Sequence, residues 1–214
     1  MAWSAESATK AYLQTLKMGK RWGKEPDMSE FVSALAAGNG ARLMVVACGG
    51  AAGATTLALA AAAQETGGRV VCILPGLREL RQSKALLAAA AADLVEFVVG
   101  DASTLLLSDY QGADFVLIDC DLDDHEEILE AAQVGRKRDG VVVVGYNAFH
   151  GGKWQKSMLL PIGDGLQVVT IKPPARKTIK PPTRRSRWVV RVDACTGEEH
   201  VYRITNPHMR ELEA

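Results

Sequence analysis

The stretch "FVLIDCDLDDHEEILEAA", Phe115 to Ala132, changes character within a few residues. An apolar run ends in Asp119, and Asp121, Asp123, Asp124, Glu126 and Glu127 follow at the head of a helical segment over 123–136. An apolar run without alternation fits a strand buried on both faces, and a strand feeding a helix is the repeating unit of a parallel α/β sheet. The acids have two meanings. At a strand's carboxyl end they can hold a ligand or a metal, whereas in a first helical turn each interacts favourably with the helix dipole by roughly 0.3–1 kcal/mol. Asp119 and Asp121 fall under the first meaning, and Asp123, Asp124, Glu126 and Glu127 under the second, with His125 among them expected to be exposed.

The same unit recurs outward in both directions. Short runs "LMVVAC", "RVVCIL", "LVEFVV" and "GVVVVGY" alternate with helical segments at 54–66, 77–92 and 103–108. The alanines, as in Ala88 to Ala92, let a helix axis approach the sheet closely and favour the helix itself. Two helices precede the rhythm: "SAESATKAYLQTLKM", and "DMSEFVSALAA" with Asp27 as cap and Glu30 at the capping-box position. After Gly151 the rhythm stops, and "LQVVTI", "RWVVRV" and "EEHVYRI" read as antiparallel strands, the last two as a hairpin. The expected fold is α/β and Rossmann-like, a mostly parallel sheet with helices on both faces and an antiparallel C-terminal extension. One domain over 1–214 is expected: N-terminal helices in 1–40, core in 41–171, basic connector in 172–187, and C-terminal strands and tail in 188–214.

The 214 residues are 48% hydrophobic and 23% charged with a formal net charge of +0, so no overall field draws the chain to nucleic acid or membrane. Cys48, Cys72, Cys120 and Cys195 form no C-x-x-C pair and read as small buried hydrophobes in a reducing compartment. The N-terminus has no continuous apolar region of the secretory kind, and "LALAAAAQ" is too short to span a bilayer. A cytoplasmic location follows, with the nucleus left open.

In open α/β sheets, ligands bind beyond the strands' carboxyl ends where strand order reverses. The loop "ACGGAAGATT" offers Gly49, Gly50 and Gly53 for close backbone approach, with Thr55 and Thr56 opening the next helix. A tight β-to-α turn would need the same glycines. The loop after the second strand carries Leu74, Pro75 and Gly76 where nucleotide-binding folds place a ribose-gripping acid. Losing such a charge-assisted bond costs roughly 1.5–3 kcal/mol, about ten- to a hundredfold in affinity. The third loop, "VVGDAST", places Asp101 and Ala102 beside a potential adenine, although Asp101 would serve equally as a helix cap.

With these loops in order, "VGDASTLL", "FVLIDCDLDDH", "GVVVVGYNAF" and "LPIGDGL" resemble, over roughly residues 27 to 171, the class I S-adenosylmethionine-dependent methyltransferases. The likeness is greatest to the small O-methyltransferases of the caffeoyl-CoA and catechol type. "MAWSAESATKAYL" and "SRWVVRVDACTGEEHVYRI" carry a closer resemblance to a plant family of uncharacterised proteins, the DUF1442 group. The resemblance implies S-adenosylmethionine as cofactor, held at Gly49, Gly53, Thr55, Asp101, Ala102, Asp119 and Asp121. It implies Asp119 and Asn147 as the catalytic positions, Asn147 standing where the second metal aspartate belongs.

The departures lie where chemistry is needed. Ala47 and Leu74 replace cofactor-holding acids, Leu122 replaces a lysine, and Ala148 replaces a metal-binding asparagine. A hard divalent cation takes several oxygen ligands, so one aspartate and one neutral amide argue against a metal. The expected function is that of an atypical S-adenosylmethionine-dependent methyltransferase acting on an unidentified acceptor. The alternative is a degenerate methyltransferase fold kept for binding or regulation. A nicotinamide-dependent enzyme fits worse, for "LPIGDGL" has no place in it and no hydride-transfer constellation is present.

Lys172, Arg176, Lys177, Lys180, Arg184, Arg185 and Arg187 form an acid-free run that reads first as a solvated loop, and second as a contact for nucleic acid or another phosphate-rich partner. Trp154 and Trp188 bracket it as packing anchors, and His150, in the loop after the fifth strand, could face the pocket but reads first as structural and not as a catalytic base. A small-molecule ligand and no membrane are expected, and a homodimer is left open.

Overall fold

The computed structural model describes residues 3–20, 28–87, 94–135, 140–152, 154–172, 187–193, 197 and 199–204. Asp27, Ala88–Ala92, Cys195 and the connector over 173–186 lie outside these residues. Two compact units result, Met1–Pro174 and Ala175–Ala214.

The first unit opens with α1 (Ala5–Lys20) and α2 (Met28–Gly38) and then alternates: β1 (Leu43–Ala47), α3 (Ala54–Thr66), β2 (Arg69–Leu74), α4 (Leu77–Leu87), β3 (Val95–Val99), α5 (Ala102–Leu107), β4 (Phe115–Asp119), α6 (His125–Val134) and β5 (Val141–Tyr146). Two strands complete it, β6 (Met158–Leu160) and β7 (Leu166–Ile171). The seven strands stand in the order β3-β2-β1-β4-β5-β7-β6. The first five are parallel, β7 runs antiparallel to β5, and β6 runs antiparallel to β7. In the second unit, β8 (Arg187–Val192) and β9 (Glu199–Ile204) pair with each other as a separate two-stranded sheet.

The two-residue period of each strand sorts side chains into two cores. Met44, Val46, Cys48, Phe115, Leu117 and Val144 pack on the face covered by α1, α2 and α3. Val45, Ala47, Val116, Ile118 and Val143 pack on the other face with residues of α5 and α6. Helix α3 shows why alanine is abundant, since Leu57 through Ala63 are all buried and small side chains let it sit between the sheet and its neighbours. It ends at Gly67, whose φ of 66° is the left-handed cap that returns its N–H to the Ala63 carbonyl.

Sheet order reverses at β1, which has β2 on one side and β4 on the other. A crevice therefore opens beyond the carboxyl ends of β1 and β4. Parity places Asp119 on the face of Leu117, Cys48 and Tyr146, facing the glycine loop. Among the described residues, no helix is long and apolar enough to cross a membrane.

Candidate functional site

Asp119 ends β4 and is only 8% exposed. Both of its oxygens accept hydrogen bonds: Oδ2 from the Gly49 amide at 3.2 Å, and Oδ1 from the Asp121 amide at 3.2 Å and from Asn147 Nδ2 at 2.9 Å. Asn147 Nδ2 also donates to Asp121 Oδ2 at 3.0 Å. The sheet thus gathers four expected site residues from three loops. His150, in the same loop as Asn147, places Nδ1 3.8 Å from Asp121 Oδ1 and so faces this cluster from its exposed side.

Glycine at position 49 leaves room for this contact, because a Cβ there would lie 3.0 Å from Asp119 Oδ2 and press the carboxylate to shift. Gly50 and Gly53 face open space. Gly53 begins α3, its carbonyl receiving the Thr56 and Leu57 amides, and Thr55 lies half-buried in the first turn. The loop is tethered from α4, where Ser83 Oγ accepts the Ala52 amide at 2.8 Å and donates to the Glu79 carbonyl at 2.6 Å. Ser83 gave no signal in the sequence.

Beside Asp119, sharing Cys48 and Leu122 at its edge, lies a cavity of about 340 Å³. Its floor is apolar, with Ala47, Ile73 and Leu74 from β1 and β2, and its rim carries Asp101, Ala102 and Asp124. Ala47 and Leu74 are fully buried, so neither position offers a charge to a sugar. Asp101 caps α5, its Oδ1 accepting from the Thr104 amide and Ser103 Oγ, each at 2.7 Å. Hydrogen bonding to Thr104, and then to Ser103, holds its carboxyl below the usual carboxylate range. Capping and cavity lining coincide at Asp101. They separate at Asp124, which occupies the N-cap position of α6 without a side-chain capping bond and lines the cavity instead.

His125 is half-buried rather than exposed. Its Nδ1 lies 2.7 Å from the Leu122 carbonyl and its ring stacks near Trp154, itself 3% exposed and packed against Gly145. Burial, with Asp119 and Asp121 adding to it, pushes the Cys120 thiol up to about 12, which leaves it inert as a nucleophile at neutral pH. Burial, with Cys48 and Asp119 adjacent, also pushes the Tyr146 phenol far up. Cys48 and Cys72 are free thiols with sulfurs 3.5 Å apart. Strand register sets Cys72 opposite Val46, an offset unfavourable to a disulfide. No group of three or more His, Cys, Asp or Glu among the described residues could hold a metal ion.

Several solved structures share this architecture. An S-adenosylhomocysteine-bound methyltransferase from Podospora anserina is 12% identical with a TM-score of 0.57, over 80% of this chain and 90% of that one. The O-methyltransferase TomG from Streptomyces achromogenes, in complex with S-adenosylmethionine, is 20% identical with a TM-score of 0.55, over 81% and 92%. An O-methyltransferase from Bacillus cereus, in complex with S-adenosylhomocysteine, is 17% identical with a TM-score of 0.54, over 76% and 90%. At these identities the likeness is one of fold, the Rossmann-like methyltransferase fold. The chain matches no curated protein in sequence. The model of DUF1442, a family described as proteins of unknown function, matches residues 1–204, and the chain belongs to that family.

Proposed function

We propose that the chain is an atypical S-adenosylmethionine-dependent methyltransferase, its acceptor unidentified. The observation that carries this reading is the bond between the Asp119 carboxylate and the Gly49 amide, at the edge of a cavity that runs to Asp101. The cavity's volume lies within the range of small-molecule pockets. The donor set suits the cofactor at its two ends. Asp119 and Asp121 offer carboxylate oxygens to an ammonium, Gly49 and Gly53 allow backbone approach with Thr55 in the adjoining turn, and Asp101 with Ala102 lies where a purine edge would rest. At the sugar the set departs, since Leu74 and Ala47 carry no acceptor, and Asp124 is the rim carboxylate available to a hydroxyl.

When bound, S-adenosylmethionine supplies an electrophilic methyl group. The chain's own contribution is then positioning, which can supply much of the rate of such a transfer. Asp119 and Asn147 fix the amino-end contact, the apolar floor excludes water, and His150 with Asp121 lies on the exposed side of the cluster.

The buried Leu74 and Ala47 favour a second reading, a fold retained for binding without methyl transfer. Isothermal titration with S-adenosylhomocysteine separates the two. Saturable binding below millimolar ligand, weakened at least tenfold in Asp119→Ala, is expected. Absence of heat and of any thermal shift at millimolar ligand would leave the second reading.

A further inference from the structure

Asn147 adopts a φ of 58°, the left-handed region that asparagine enters more readily than other non-glycine residues. The backbone turn aims its side chain between two carboxylates. One amide nitrogen reaches Asp119 Oδ1 at 2.9 Å and Asp121 Oδ2 at 3.0 Å, which spends both N–H bonds of the amide. The two accepting oxygens are therefore within about 6 Å of each other. Two carboxylates that close repel, and a shared donor or a shared cation relieves the repulsion.

The surrounding donors favour the amide over a cation. A hard divalent cation takes six or more oxygen ligands, and here both Asp119 oxygens and Asp121 Oδ2 already receive N–H donors, which leaves Asp121 Oδ1 as the one open carboxylate oxygen of the pair. Asp119 Oδ1 carries two such bonds and its Oδ2 carries one from Gly49. Turning the Asn147 amide over would aim its oxygen at both carboxylate oxygens, so the network itself fixes which end faces inward. Ala148, next in the chain, supplies no ligand atom from its side chain.

We propose that the Asn147 amide does the work of a bridging cation at the acid pair. It holds Asp119 in register with the Gly49 amide and keeps the pocket independent of divalent metal. Asn147 is a positioning residue in this role. One oxygen-for-nitrogen exchange, Asn147→Asp, supplies a third carboxylate and turns the cluster into a cation site. The proposal concerns the acid pair alone and holds whether or not the cavity takes S-adenosylmethionine.

The test is a titration with Mn²⁺ alone, no adenosyl ligand present, read by electron paramagnetic resonance of free Mn²⁺ and by thermal shift. The wild-type chain is expected to show no saturable binding below millimolar Mn²⁺. Asn147→Asp is expected to bind at least tenfold more tightly, to be less heat-stable than wild type without Mn²⁺, and to recover with it. Adding Asp121→Asn to Asn147→Asp should abolish the gain. Submillimolar Mn²⁺ binding by the wild type that Asp119→Ala removes would overturn the proposal. So would a folded Asn147→Asp chain whose Mn²⁺ affinity equals that of wild type. Asp121→Asn, which loses only the Asn147 contact, serves in place of Asp119→Ala where that variant fails to fold, and failure of S-adenosylhomocysteine binding would leave both arms interpretable.

Discussion

Replacing Asp119 by asparagine exchanges one oxygen for an amide group at a place where every hydrogen-bonding neighbour donates. Gly49 N, Asp121 N and Asn147 Nδ2 approach the carboxylate from two sides, at 3.2, 3.2 and 2.9 Å. An asparagine can turn its oxygen toward Asp121 and Asn147 or toward Gly49, but not toward both. The better orientation keeps two bonds and sets one N–H against another at Gly49. A lost hydrogen bond to a charged group costs about 1.5–3 kcal/mol, and the remaining two weaken to neutral strength at about 0.5 kcal/mol each. Removing one of two neighbouring negative charges returns about 1 kcal/mol at a partly solvated site. The net expectation for Asp119→Asn is a loss of about 1.5–3 kcal/mol, and for Asp119→Ala, which forfeits all three bonds, about 3–5 kcal/mol. In a chain of this size each kcal/mol lowers the thermal midpoint by about 2–4 °C. Urea and thermal unfolding followed by far-ultraviolet circular dichroism read both variants. An Asp119→Asn midpoint equal to that of wild type would show that the three donors contribute nothing to stability, and would refute the reasoning.

The remaining predictions concern the loops around that residue. Gly49→Ala forces a Cβ to 3.0 Å from Asp119 Oδ2, so it should lower S-adenosylhomocysteine affinity at least tenfold, whereas Gly50→Ala, facing open space, should bind as wild type does. Asp101→Ala should cost about 0.5–2 kcal/mol by loss of the α5 cap, and Asp101→Asn, which keeps an acceptor, should cost less. Because the folded Asp101 carboxyl sits below its usual range, its contribution is present above the unfolded carboxyl's pKa and is lost as pH falls through the folded value. Acid unfolding of wild type against Asp101→Asn measures it. Asp124 makes no side-chain capping bond, so Asp124→Asn should leave the unfolding midpoint within about 0.5 kcal/mol of wild type, while weakening adenosyl ligands by calorimetry. Cys120 stays protonated in the fold up to about 12 against an ordinary thiol value of 9.0. Stability from that proton is complete below the ordinary value and declines as pH rises toward the folded one. Iodoacetamide at pH 8 should leave Cys120 unmodified in the native chain and alkylate it in denaturant.

The βα alternation was legible because strands buried on both faces leave uninterrupted Val and Ile runs, and β1, β2, β4 and β5 are such strands. β6 left no such trace, since three residues with Met158 and Leu159 exposed make no periodic signal. Asp119, Asp121 and Gly49 could be placed because loops at the carboxyl ends of adjacent parallel strands must meet. Asp124 could not, because an acid at a helix start is expected to cap, and only its missing capping bond reveals another use. His125 looked exposed for the same reason, while its burial arises against Trp154, far along the chain. His150 reaches Asp121 through the turn that Asn147 makes at positive φ, a conformation that composition does not announce.

The central claim is that an adenosyl ligand enters the crevice between the tips of β1 and β4. Titration of the ¹⁵N-labelled chain with S-adenosylhomocysteine, followed by amide chemical shifts, tests both the event and its place. Progressive shifts at Gly49, Gly50, Asp101, Ala102, Asp121 and Leu122 are expected. An unchanged spectrum at millimolar ligand, or shifts confined to the β8–β9 hairpin, would contradict the account.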